Sequence, residues 1–306
     1  MTNAPSKSAT IFIEITPPRP GLSFIPILPI IEEFVHRKVD YLSFPSHPLG
    51  IPHVSNDVFF QYLQDKVSTP KNLHLTLRAY KGALELQNKV MDLHQLGVKN
   101  LLLMHGDESH LYPSIHPCID TPEAISMIKN LNRGVDFAGA LLKEKTQFRV
   151  GCVTNMAAQS LPGREKEPAF QLRRLHQKIQ AGADFLITQP VFSLEEVDHF
   201  IHRYESLYGP LSIPMFFGLL PICNVRHFTF LSSIPGITIP PHIAQQVKEK
   251  KSTEELQKWS LLHTEKVGRQ LLSLHHESKG WYLLAAGSDY NMVVRLLDSL
   301  KTTILA

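Results

Sequence analysis

Glu14 stands among Ile11, Phe12, Ile13 and Ile15, so its carboxyl meets mostly apolar neighbours. A carboxyl taken out of water resists ionisation and can donate a proton near neutral pH. The same position also suits a structural glutamate paired with a lysine or arginine. Asp107 closes the stretch LLLMHGD behind His105 and Gly106. Gly106 permits an unusual turn or a close backbone approach, and an aspartate beyond it either steadies a cation or cofactor hydroxyl or caps the next turn. Gln189 ends the run DFLITQ before Pro190. Its amide both donates and accepts, which suits a heterocycle or the satisfaction of strand-end backbone groups. His74, between Leu73 and Leu75, reads first as a core histidine with a hydrogen-bond partner. Lys178, near the end of a helical stretch, reads as a solvated or snorkelling lysine.

These residues need elements to hold them. Eight short apolar runs, each bounded by polar, Gly or Pro residues, read as strands buried on both faces: 10–16, 40–44, 72–77, 100–104, 148–154, 184–189, 214–219 and 281–286. Between them, apolar positions recur every three or four residues, as in Ala83, Leu86, Val90 and Leu93, or Leu172, Leu175 and Ile179. Gly97 and Gly182 end two of these helices just before strands. Strict alternation predicts a parallel α/β fold, and eight units predict a closed (β/α)8 TIM barrel. Residues 240–277 are too long for one connection and predict one or two extra helices before the last strand. With no linker, repeat or low-complexity tract, residues 1–306 read as one catalytic barrel. Such barrels work at the C-terminal ends of their strands. That rule selects Glu14, His74, His105, Gly106, Asp107, Asn155, Gln189 and, after the seventh strand, Leu220, Pro221 and Asn224.

Composition narrows the function classes. A net charge of +3, with both signs interspersed, gives no basic face for nucleic acid. Cys118, Cys152 and Cys223 are widely spaced and read as buried free thiols. No HExxH pair occurs among the 16 histidines, so no metal site is expected. Neither GxGxxG nor GxxxxGK[ST] follows any strand. No leader peptide or membrane-length apolar run is evident, and a cytoplasmic protein is expected.

Six segments, in order, resemble the methylenetetrahydrofolate reductase family: IEITPPRP (13–20), HLT (74–76), LGVKNLLLMHGD (96–107), KIQAGADFLITQPVF (178–192), GLLPICN (218–224) and PGITIPPHI (235–243). The likeness is to the short, single-domain bacterial type. It implies a flavoprotein oxidoreductase of one-carbon metabolism and methionine biosynthesis. NADH or NADPH would reduce FAD, and hydride would pass on to 5,10-methylenetetrahydrofolate, giving 5-methyltetrahydrofolate. By resemblance, Glu14 would be the general acid and Asp107 would stabilise the cation. Gln189, Asp107 and Leu220 would meet the substrate, and His74, His105, Gly106, Asp107, Asn155 and Lys178 would hold FAD. Its partners would be small molecules, the folate and the nicotinamide, with a homo-oligomer consistent with relatives. The chain departs from the family pattern at Thr16, His105, Asn155, Gln171 and Val225. Those departures motivate two alternatives: a folate reductase without FAD, and a non-catalytic folate- or flavin-binding subunit.

Overall fold

The computed structural model describes residues 9–106, 119–156, 167–234, 236–285, 287 and 289–302. Eight parallel strands close in sequential order, so the expected barrel is the observed one. They are β1 (Thr10–Glu14), β2 (Tyr41–Phe44), β3 (Lys71–Thr76), β4 (Asn100–Met104), β5 (Arg149–Thr154), β6 (Phe185–Pro190), β7 (Met215–Leu219) and β8 (Ser278–Leu283). Among the described residues ten α-helices surround them: α1 (Leu28–His36), α2 (Asn56–Gln64), α3 (Ala83–Gln95), α4 (Thr121–Arg133), α5 (Glu167–Gln180), α6 (Leu194–Tyr208), α7 (Val225–Ser233), α8 (Pro241–Lys248), α9 (Thr253–Leu274) and α10 (Asn291–Thr302). Of the one or two helices expected in 240–277, two are present, α8 and α9.

Side chains alternate across each strand, and the two faces do different work. Ile11, Ile13, Leu42, Leu73, Leu75, Leu101, Leu103, Val150, Leu186, Phe217 and Trp281 face outward and pack against the helices in one large apolar layer. Phe12, Leu102, Phe185, Ile187, Phe216 and Tyr282 face inward as a separate cluster. Phe12 lies at its centre, stacked on Tyr41 at 4.3 Å and against Phe216 at 4.8 Å between ring centroids. The Arg149 guanidinium sits 4.6 Å from the centre of the Phe185 ring and reaches the Tyr41 hydroxyl at 3.4 Å. The barrel is therefore filled from its foot upward, and only its upper end is left for chemistry.

Two glycines let this interior close. A Cβ on Gly151 would lie 2.3 Å from the Phe185 ring, and one on Gly280 would lie 1.8 Å from the Thr10 carbonyl oxygen. The second contact explains why β8 runs 278–283 rather than 281–286. Gly280 pairs with Thr10, so the polar Ser278 and Lys279 are drawn into the strand below the apolar run. At the other end β1 stops at Glu14, short of the expected residue 16. The Thr16 N–H donates instead to the Tyr290 hydroxyl at 3.1 Å.

Helix boundaries follow ordinary capping chemistry. The Asp120 carboxylate accepts from Glu123 N at 3.0 Å at the start of α4, and Ser252 Oγ accepts from Glu255 N at 3.1 Å at the start of α9. Gly97 and Gly182 carry φ of +82° and +100°, the left-handed conformation that ends α3 and α5. Cys152 and Cys223 are buried free thiols as expected, while Cys118 lies outside the described residues. Among the described residues no helix is long and apolar enough to cross a membrane, and no His, Cys, Asp and Glu cluster could hold a metal ion.

Candidate active site

Glu14 is the last residue of β1, level with Ser43 of β2 and Asn72 of β3. Its carboxyl enters the barrel just above the aromatic filling. Tyr282 of β8 donates its hydroxyl hydrogen to Glu14 Oε2 at 2.6 Å. Burial raises the Glu14 pKa from its ordinary value to about 7, against the lowering effect of that hydrogen bond. No lysine or arginine pairs with Glu14 among the described residues. Its carboxyl is partly protonated at neutral pH, as a proton donor requires.

Below Glu14 lies a polar network. His74 Nε2 is 2.9 Å from the Tyr282 hydroxyl and 3.0 Å from Ser43 Oγ. Asn72 Nδ2 donates to Ser43 Oγ at 2.8 Å. The amide of buried Asn56 donates to the carbonyls of Phe44 and His74 at 3.0 and 2.9 Å, joining β2 to β3. Burial lowers the His74 pKa to about 3, so its imidazole is neutral. The core reading of His74 is the one the structure supports. Its ring serves the network under Glu14, and only 5% of the residue is exposed for contact with a flavin.

The other expected residues divide. Gln189 lies next to the end of β6, where the pairing with β7 is irregular between Ile187 and Pro190, on the same end of the barrel as Glu14. Its side-chain amide makes no hydrogen bond among the described residues, which leaves it available to a ligand. Gly106 has φ of +96°, and a Cβ there would lie 2.2 Å from Thr76 Cγ2, so both proposed uses of this glycine are realised. His105 is exposed, with its Nε2 3.2 Å from the Arg78 guanidinium. Asp107, expected as the anion of the pair, lies outside the described residues. Leu220 is buried with Phe192, Ile222 and Phe228 in a small cluster beneath α7 and α8. Asn224 caps α7, its Oδ1 accepting from His227 N at 2.8 Å. Val225 is exposed.

Two expected cofactor contacts are turned toward the protein. Asn155 donates to the Gly236 carbonyl at 2.9 Å, tying the end of β5 to the segment after α7. Lys178 is not the solvated lysine that its place on the helix suggested. Only 8% exposed, it donates to the Val153 carbonyl at 2.6 Å, and burial lowers its pKa. It lies between α5 and β5 because the stem packs on the sheet and the carbonyl satisfies its head. His74, Asn155 and Lys178 each therefore make at least one hydrogen bond to the protein itself.

Tyr282, Ser43 and Asn72 were not singled out in the sequence. The signal was present, since each is a polar-tipped residue at an inward position of a strand. The inward phase of each strand, however, becomes visible only once the barrel register is known. Two cavities among the described residues lie at opposite ends of the barrel. One of about 240 Å³ lies beside the mouth, lined by Ser46, His47, His53, Tyr80 and Lys89. A larger one, about 520 Å³, opens at the foot around Asn132, Thr146, Arg149 and Asp184. The Asp184 carboxylate is already bound by Lys129 at 2.8 Å, and the aromatic filling separates this end from Glu14, so the larger cavity is not the reaction site.

The methylenetetrahydrofolate reductase family model matches residues 1–271. Among curated relatives, methylenetetrahydrofolate reductase 2 of Schizosaccharomyces pombe is 22% identical over 201 residues, which cover 63% of this chain and 30% of that protein. The probable methylenetetrahydrofolate reductase (NADPH) of Caenorhabditis elegans is 24% identical over 65% of this chain and 28% of its own length. The chain thus spans under a third of the length of these relatives. Among solved structures, an uncharacterized protein from Clostridium thermocellum that binds two copies of 5-methyl-5,6,7,8-tetrahydrofolic acid superposes with a TM-score of 0.68. It is 16% identical, with 98% of this chain and 96% of that chain covered, a likeness of fold.

Proposed function

This chain belongs to the methylenetetrahydrofolate reductase family, and from that premise we propose that it reduces 5,10-methylenetetrahydrofolate to 5-methyltetrahydrofolate, with NADH or NADPH as the source of hydride. The observation that carries this reading is the Glu14 carboxyl, buried at the barrel mouth with a pKa near 7. The methylene bridge of the substrate joins N5 and N10. A proton delivered to N10 breaks the N10–CH2 bond and leaves an N5 iminium, and hydride adding to that carbon gives the N5-methyl group. The sum is one hydride from the nicotinamide and one proton from Glu14, which is then reprotonated from solvent. The Gln189 amide, without a hydrogen-bond partner among the described residues, can hold a ring that both donates and accepts.

FAD, when bound in a reductase of this kind, would carry hydride between the two substrates. The resemblance implies it, but His74, Asn155 and Lys178 are engaged with the protein, so the flavin step is not carried by this geometry. That engagement, above all the buried Lys178 ammonium, favours a second reading: direct hydride transfer from nicotinamide to folate. A reading as a non-catalytic binding subunit leaves the elevated Glu14 without a use.

An absorbance spectrum of the purified protein, followed by anaerobic titration with NADH, NADPH and then methylenetetrahydrofolate, tests both readings. A yellow protein bleached by nicotinamide and recoloured by the folate supports the flavin route. Nicotinamide oxidation by colourless protein supports the direct one. No folate-dependent oxidation of either nicotinamide, with or without added FAD, would refute the reductase assignment.

A further inference from the structure

We propose that Tyr282 is a positioning residue for Glu14: anchored from below by His74, Ser43 and Asn72, it fixes one carboxyl oxygen and so decides which oxygen carries the transferable proton and at what pH it is released. The relevance to catalysis rests on the reductase reading, but the physical claim about the carboxyl does not.

The geometry supplies the argument. Tyr282 has one hydroxyl hydrogen and commits it to Glu14 Oε2 at 2.6 Å. Its oxygen can then only accept, and the His74 ring approaches it. His74 Nε2 lies 2.9 Å away, and the Ser43 hydroxyl lies 3.0 Å from that same nitrogen. Ser43 in turn takes a hydrogen bond from Asn72 at 2.8 Å. The chain thus crosses β1, β8, β3 and β2; Ser43, Asn72, His74 and Tyr282 are buried, and Glu14 as a whole residue is half-buried. A phenol that accepts from below is a stronger donor above, because hydrogen bonds in a chain polarise one another.

The direction of the effect follows. Glu14 Oε2 is occupied by a donor, so a proton on the carboxyl resides on Oε1. A donor at Oε2 also favours the carboxylate, and so opposes burial, which favours the acid. Tyr282 cannot lose its own proton in the working range, since burial and the neighbouring Glu14 hold its pKa far above the ordinary phenol value. The titratable groups facing this carboxyl from the surrounding elements are Tyr282 of β8, Tyr290 ahead of α10 and, through Tyr282, His74 of β3. Burial keeps Tyr290 protonated up to about pH 12, and His74 is neutral above about pH 3. None of these three changes charge near pH 7, so the Glu14 titration is set by hydrogen bonding and burial rather than by a second ionisation among them.

The test is a direct titration of the carboxyl. Protein carrying ¹³C-labelled glutamate is followed by NMR against pH, with the Glu14 signal identified by its absence in E14Q. Wild type is expected to titrate near 7. Y282F is expected to titrate higher by about one pH unit or more, the loss of a hydrogen bond to a charged group. S43A should move the midpoint in the same sense by less. The pH profile of methylenetetrahydrofolate reduction should move by the same amounts, which a purely structural role of Tyr282 would not cause. A folded Y282F with the wild-type midpoint, or a lower one, would overturn the proposal. Should Y282F not fold, an unmoved midpoint in S43A would overturn it equally. Midpoints that move as expected in a protein with no reductase activity at any pH would uphold the role of Tyr282 and sink the reductase reading instead.

Discussion

Changing Glu14 to Gln keeps the shape of the side chain and removes its proton. Losing a general acid costs about 10²–10⁴-fold in rate. E14Q should therefore lose folate reduction on that scale, while oxidation of the nicotinamide by an artificial acceptor changes little. Stopped-flow measurement of the two half-reactions checks this. The same residue has a cost in stability. Folded Glu14 holds its proton up to about pH 7, against an ordinary value of 4.5, so the folded state binds more protons between those limits. Stability therefore falls as pH rises from about 4.5 to 7 and stays reduced above it. E14Q escapes that loss, and its melting temperature should exceed wild type at pH 8 but not at pH 4. Gly106→Ala meets two penalties, a φ of +96° and the Thr76 methyl in the way. A loss of about 1–3 kcal/mol is expected in urea titration. At this scale Glu14 and Gly106 were legible because their difficulty is local: a carboxyl in an apolar run, a glycine at a strand end. Lys178 was not, because whether a long stem lies on the sheet or reaches solvent depends on packing that spacing does not encode.

The strands were legible as elements because burial on both faces writes a continuous apolar run. Their phase was hidden for the same reason, since a run apolar throughout does not say which residues face the axis. Tyr282 escaped notice on that account, lying between Trp281, which faces outward, and Leu283. The foot of β8 escaped because pairing with Thr10 through Gly280, not apolarity, draws Ser278 and Lys279 into the sheet. The long helix α9 tests how elements are held. Its Gly268 lets the helix press on the barrel: a Cβ there would lie 2.7 Å from Leu219 and 3.3 Å from Trp281 Nε1, and the Trp281 indole donates to the Gly268 carbonyl at 2.7 Å. Gly268→Leu should push α9 off β7 and β8. Overpacking of this kind costs about 1–3 kcal/mol, readable as a lower urea midpoint.

For the molecule as a whole, acid is the weak side. Burial depresses His74 to about 3 and His227 to about 4, both below the ordinary 6.5. The unfolded chain takes up these protons first, so stability is lost as pH falls below about 6.5 toward those values. Thermal melts between pH 7 and 4 should show a declining midpoint, less steep in H227N. In E14Q, where the opposing contribution of Glu14 is gone, a flat profile would mean that neither ring is held neutral.

The packed foot of the barrel has a kinetic consequence. With Phe12, Tyr41, Phe185 and Phe216 plugging one end and Arg149 lying across Phe185, every reactant must come and go by a single doorway. If an electron carrier is lodged inside, the two substrates take turns at that threshold, and double-reciprocal plots run parallel, with each substrate inhibiting competitively against the other at excess. If hydride jumps straight between them, both must stand in the doorway at once, and the lines converge. The slope pattern of a steady-state assay therefore reads out, without any spectroscopy, how a vessel with one opening shares it between two guests.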